Sequence, residues 1–205
     1  DVGIDMLGGL LTDKDWEVWG LFHFDGLSST SNLGENGTAT GSVSSLDFSI
    51  GFEKYFSESN TWFKDVSLYL LAARSNKTVS VLEGSQSELS TAEFGGGFSY
   101  HFFAPANSFS KIIGYATTSF GIGSSEEVFT LSSIGSSAVS QPYSGTSNFF
   151  SLGVGVKYYM IKGFGVRAIF DYYRRGESYV ISNSSSDFTK TISGPRFQFG
   201  LSYRW

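Results

Sequence analysis

Cysteine is absent from the 205 residues, so neither a disulfide framework nor a thiolate metal site is open to the chain. Charge is scarce at 16%, against about 25% in an ordinary soluble domain, while phenylalanine reaches 20 residues. A chain that hides polar groups and shows apolar ones has this composition. The net charge is −5 and no basic block or stripe occurs, which argues against a nucleic-acid partner. Long apolar runs are also missing. Leu68 to Ala73 is among the longest, far short of the about 18 residues of a helical membrane span. No basic n-region with an apolar h-region opens the sequence, so an exported protein would stand here in mature form, its signal removed. Two histidines are too sparse for a zinc site, no acidic loop has EF-hand spacing, and no cofactor is expected.

What the chain does have is a period of two. In its last nine residues Phe197, Phe199, Leu201, Tyr203 and Trp205 alternate with Gln198, Gly200, Ser202 and Arg204. Alternation puts the two sets on opposite faces of a strand. Seven more segments, most of them alternating, lie near 16–27, 44–55, 65–75, 91–103, 112–124, 147–160 and 163–175. In the first, Trp16, Val18, Gly20, Phe22 and Phe24 oppose Glu17, Trp19, Leu21, His23 and Asp25. The cleanest sets Phe150, Leu152, Val154, Val156 and Tyr158 against Ser151, Gly153, Gly155 and Lys157. The register of the third, apolar on both faces, stays open. Several segments have the roughly ten-residue length of a tilted strand crossing a bilayer.

Connections alternate between long polar stretches (28–41, 76–90, 125–146 and 176–189) and short ones (56–64, 104–111 and 161–162). This is the rhythm of an up-and-down barrel with long extracellular loops and short periplasmic turns. Pro105 falls in a short turn, Pro142 in a long loop and Pro195 at a strand start. The third long stretch, 125–146, either extends the strands or folds over the mouth, and Glu126 and Glu127 in it read as solvated loop charge. A soluble sandwich would carry many Lys and Glu on its less apolar faces, whereas here Gly and Ser dominate, as suits a crowded barrel interior. The expected fold is therefore all-β: a membrane-spanning, antiparallel, eight-stranded up-and-down barrel over residues 15–205. Residues 1–14 remain a tail, a short helix, a plug or, least in keeping, a ninth strand.

The terminal aromatic face resembles the C-terminal signal by which the outer-membrane assembly machinery recognises barrels, carried here by Phe197, Phe199, Leu201, Tyr203 and Trp205. On strand rhythm, loop alternation and that ending, 15–205 resembles the small eight-stranded outer-membrane barrels of the OmpA, OmpX and OmpW kind. The resemblance implies a Gram-negative outer membrane, a barrel filled by side chains, and lipid, lipopolysaccharide and the barrel assembly machinery as partners. It leaves roles in adhesion, recognition and small-solute passage open. With no periplasmic domain after Trp205, peptidoglycan anchoring is not expected.

Sorting the inward residues by height places Glu17, Glu53, His101, Lys157 and Arg204 low, with Arg167 somewhat above. Asp25, Asp47, Glu93, Asp171 and Arg175 lie higher, and Arg196 between. Charges come mainly from the first, second, seventh and eighth strands and face a wall of small residues such as Gly95, Gly97, Gly121 and Gly153. Buried charges need partners, so mixed signs at similar heights are expected to pair across the lumen and close it. Trp16, Tyr100, Phe102 and Tyr158 form an outward girdle at the periplasmic ends. His23 with Asp25 nearby is read as lumen packing, not a catalytic pair. The expectation is a monomeric, non-enzymatic envelope protein with a structural and surface-interaction role, possible extracellular partners meeting its loops. The alternative is a narrow channel for small solutes, and an envelope lipid-modifying enzyme ranks third.

Overall fold

The computed structural model describes residues 15–32, 38–56, 62–81, 85–103, 112–131, 139–161, 163–179 and 188–205. Residues 1–14 and Pro105, on which two readings rest, lie outside them. The described strands are β1 (Trp16–Asp25), β2 (Leu27–Asn32), β3 (Thr38–Tyr55), β4 (Val66–Val81), β5 (Ser85–Phe103), β6 (Ile112–Leu131), β7 (Val139–Ile161), β8 (Phe164–Tyr179) and β9 (Phe188–Arg204). From β3 onward neighbours in sequence pair antiparallel, and β1 and β2 each pair with both β3 and β9. Thus β1 and β2 are one ribbon with a break, and the sheet is a closed eight-stranded barrel.

Pro195 accounts for the break. Gly26 N–H donates to the Pro195 carbonyl at 3.0 Å, but the proline nitrogen carries no hydrogen to return the bond. The ladder lapses for one step and resumes in the same register, with Asp25 opposite Arg196 and Ser28 opposite Ser193. Pro195 is therefore inside β9 and not at a strand start. Pro142 likewise lies within β7, opposite Val128, and not in a loop. The tight turn joining β7 to β8 relies on Gly163, whose φ of 86° suits a residue without a Cβ.

Every strand alternates as its sequence requires. On β7 the outward positions Phe150, Leu152, Val154, Val156, Tyr158 and Met160 are exposed; above them the outward series continues as Asn148, Thr146 and Ser144. On β9 the exposed series runs from Phe197 to Trp205. The apolar band is thus roughly nine to eleven residues tall, what a tilted strand needs to cross hydrocarbon. The open register of the third strand resolves with Leu68 and Leu70 outward and Ser67 and Tyr69 inward.

The strands do not stop at the band. β6 has 20 residues and β7 has 23. Most of the four polar stretches read as long loops is hydrogen-bonded ladder above the lipid zone, 125–131 and 139–146 included. Serine, threonine and glycine look like turn formers in the sequence. Here many of them take the outward face, while Leu27, Val43, Val79, Leu89 and Ile192 face inward with a few serines such as Ser29, Ser87 and Ser125. These side chains and Tyr173 form an apolar cluster inside the upper barrel.

Candidate functional site

The lumen holds the chemistry of this chain, in layers. The lowest is set by register. Glu17 stands directly beside Glu53 on β1 and β3, and Lys157 directly beside Arg167 on β7 and β8. Like charges facing each other across a ladder repel. Each wall carries one sign, so relief comes from across the lumen. Lys157 Nζ reaches Glu53 Oε1 at 2.9 Å and Glu17 Oε2 at 3.3 Å. Arg167 Nη2 donates to Glu53 Oε2 at 2.8 Å. Tyr55 and Tyr159 donate to Glu17, Ser67 donates to Glu53, and Lys157 also donates to the Tyr55 hydroxyl. Arg204, opposite Glu17 in the β1–β9 register, lays its guanidinium 3.8 Å from the centre of the Tyr55 ring. Lys157, Glu17, Glu53 and Arg204 are each 0% exposed. His101 packs between Tyr55 and Tyr115, with Nδ1 3.0 Å from the Asp65 carbonyl.

A second charged layer lies above. Arg196 grips Asp171 with two bonds, Nε to Oδ1 at 3.1 Å and Nη2 to Oδ2 at 2.7 Å. Lys77 bridges Asp25 and Asp47, 2.8 Å from each. Arg175 contacts Glu93 at 2.7 Å and Glu177 at 2.9 Å. Over these sit the aliphatic residues, and at their level and beyond Lys190 reaches Glu127 at 2.6 Å. Ion pairs join Glu17, Glu53, Lys157 and Arg167 in the lower layer, and Glu93 with Arg175 and Asp171 with Arg196 above, while Asp25 and Asp47 are held by Lys77. Parity and height point to the pairs among Glu17, Glu53, Lys157 and Arg167, but not to those of Asp25 and Asp47, whose partner is Lys77. Lys77, Glu127, Glu177 and Lys190 were missed because they sit in stretches taken for loops. Glu127 in particular is not solvated: it is 1% exposed and ion-paired, while Glu126 on the other face is exposed.

The small-residue wall, expected to leave space for charges, makes room for Glu93 at Gly123 and Asp171 at Gly153, and elsewhere seats aromatic rings. A Cβ at Gly97 would lie 2.6 Å from the Tyr69 ring, at Gly121 2.6 Å from Phe149, and at Gly155 2.6 Å from Tyr115. The signal was available: these rings share inward parity across from glycines.

His23 Nε2 lies 2.7 Å from Ser49 Oγ, a contact a nucleophile and base would share. Its other nitrogen faces Arg196 Nη1 at 3.5 Å and not a carboxylate. Asp25 is engaged with Lys77 and Ser45. A guanidinium in the orienting position disfavours the imidazolium a general base must become. Among the described residues no group of three His, Cys, Asp or Glu could hold a metal ion. On the outside, Trp16, Tyr100, Phe102, Tyr158, Tyr203 and Trp205 are all exposed, as are Phe197, Phe199 and Leu201.

No family model matches the sequence, and no curated protein does. Among solved structures the chain is similar to the outer membrane protein OprG from Pseudomonas aeruginosa. Identity is 15% over 94% of this chain and 96% of that one, with a TM-score of 0.59. It is also similar to the β domain of the Bordetella autotransporter BrkA, at 12% identity over 93% of this chain and 100% of that one, TM-score 0.51. At such identities the likeness speaks to the fold: a closed antiparallel barrel of the outer-membrane type. The exposed apolar band gives that fold its surroundings, the hydrocarbon of a Gram-negative outer membrane.

Proposed function

We propose that this protein is a sealed, monomeric, non-enzymatic barrel that serves the envelope structurally and through the surface it raises above the membrane. One observation carries the reading. Two ion-paired layers and an aliphatic layer above them occupy the lumen, and the cavities left between them are small, one lined by His23, Ser49, Tyr69 and Arg196 measuring about 30 Å³ and one by Asp47, Lys77 and Glu93 about 10 Å³. A hydrated ion path needs continuous room for water. Ion pairs that reach across the lumen, as from Lys157 to Glu53 and from Arg175 to Glu93, together with pairs between neighbouring strands, as from Arg196 to Asp171, are a costly way to leave a pore open and an effective way to fill one. The charge network of Glu17, Asp25, Asp47, Glu53, Glu93, Lys157, Arg167, Asp171, Arg175, Arg196 and Arg204 is accordingly a stabilising polar core.

The outer face supports matching roles for the aromatics. Phe197, Phe199, Leu201, Tyr203 and Trp205 are the strip offered to the assembly machinery before the barrel closes. Trp16, Tyr100, Phe102 and Tyr158 are the girdle at the periplasmic interface, with lipid and lipopolysaccharide as standing neighbours. Any extracellular partner meets the hydroxyl-rich ladder and connections above the band. Purified protein in planar bilayers is expected to give a flat current trace; reproducible, sustained conductance steps would overturn closure and favour a narrow solute channel.

A further inference from the structure

We infer that a hollow on the outer wall of the barrel, beside Arg174, seats the phosphorylated sugar headgroup of an outer-leaflet glycolipid. The inference deepens the surface role proposed above and rests on it, since it names one partner of that surface. Two arginines face outward from the described strands, Arg74 on β4 and Arg174 on β8, and both are exposed. Each is the first outward residue above the apolar run of its strand, Leu68 to Ala72 on β4 and Phe164 to Tyr172 on β8. A guanidinium at that boundary meets headgroups, not hydrocarbon. Among the described residues no hydrogen bond or ion pair engages Arg174. The outward carboxylates above the band, Glu88 and Glu126, each stand one outward step higher, beyond Ser90 and Ser124. The described edge of the hydrocarbon is therefore cationic, and the outer leaflet supplies a glycolipid whose phosphates are carried on glucosamine.

Shape separates the two arginines. In the ladder Arg74 is flanked by Phe48 and Ala92, and the next outward residue is Asn76. Arg174 is flanked by Phe150 and Ser193, and the next outward position is Gly176, which has no side chain. A Cβ there would lie 3.0 Å from Asn148 Oδ1, so a side chain would crowd that amide and fill the hollow. Ile122, Asn148, Gly176 and Thr191 stand in one ladder row. The hollow around them measures about 550 Å³, with Thr146, Ser178 and Thr189 also on its rim. That lies within the about 300–1,000 Å³ of small-molecule sites. Hydroxyls and an amide match the hydroxyls and acylated amine of a sugar, and Ile122, 69% exposed, continues the apolar surface for acyl chains. Gly176 is about 7 Å along the strand from Arg174, a span an arginine side chain covers, so a phosphate on the sugar can take two parallel N–H bonds. Glu177 and Lys190 also border the hollow, but their side chains are buried inside, Glu177 held by Arg175 and Tyr179 and Lys190 by Glu127. They present backbone to the outside.

The test uses the full chain, folded in nonionic detergent, with diphosphoryl lipid A as the probe and native mass spectrometry across a titration to read the bound fraction. One lipid A is expected to stay on the wild type. Arg174→Gln should weaken retention about tenfold, because a charged donor to phosphate is lost. Gly176→Leu keeps every charge, fills the hollow and should weaken it as much. Arg74→Gln removes the same charge at the same boundary and should change retention less than about twofold. Equal loss in both arginine variants would mean diffuse attraction to an anionic lipid and would overturn the site. Equal retention of lipid A stripped of both phosphates would overturn it too, as would displacement by inorganic phosphate at a concentration matching the lipid. Should Gly176→Leu fail to fold, the two arginine variants still decide, and the comparison of phosphorylated with stripped lipid needs no variant. Closure is judged separately: a conducting barrel that holds lipid A by Arg174 would sink the sealed lumen and keep this site, and a silent barrel indifferent to Arg174→Gln would do the reverse.

Discussion

Glu53 is the residue on which the lower lumen turns, since it accepts from Lys157, Arg167 and Ser67 together. Replacing it by Gln leaves two buried cations with one carboxylate, Glu17, between them. Removing one partner of a buried pair costs about 3–5 kcal/mol, so Glu53→Gln is expected to lower stability by that order in urea unfolding monitored by tryptophan fluorescence. Adding Lys157→Gln should return part of the loss, because the stranded charge goes with it; strictly additive losses would show that the two side chains do not interact. At this scale the sequence was informative where parity was clean. Glu17, Glu53, Lys157 and Arg167 could be placed because each sits between outward, mostly apolar residues on an unambiguous strand. Glu127 could not, since Ser124, Ser125 and Glu126 precede it and Val128 and Phe129 follow, and no alternation there separates ladder from loop.

For whole strands, the apolar band was legible and the ladder above it was not. Phenylalanine every second residue, as on β9, has one sensible burial. Ser and Thr alternating with single inward Leu or Val, as on β2 and β3, fit a turn-rich loop equally well until the closed barrel supplies a partner on each side. Pro195 shows what one missing donor does to such a ladder. In Pro195→Thr the regained N–H should pair with Gly26 and fuse β1 with β2, adding about 0.5–1.5 kcal/mol. Hydrogen exchange checks this directly: the new amide at 195 is expected to be protected, and rapid exchange there would mean the break has another origin.

As a whole molecule the barrel turns its apolar side outward, with Phe94, Phe120, Phe150 and Phe170 among the exposed rings. Folded protein is therefore expected only with detergent or lipid. Unheated and boiled samples should run at different positions on a gel, and a single position for both would count against a closed barrel. The segregation of sign also matters before closure. In a flat precursor sheet the glutamate strip and the lysine–arginine strip sit at a distance, each crowding itself. Curling so that this face becomes concave brings the strips toward each other, whereas curling the opposite way drives them apart. Electrostatics thus gives the unfinished ribbon a preferred direction in which to roll.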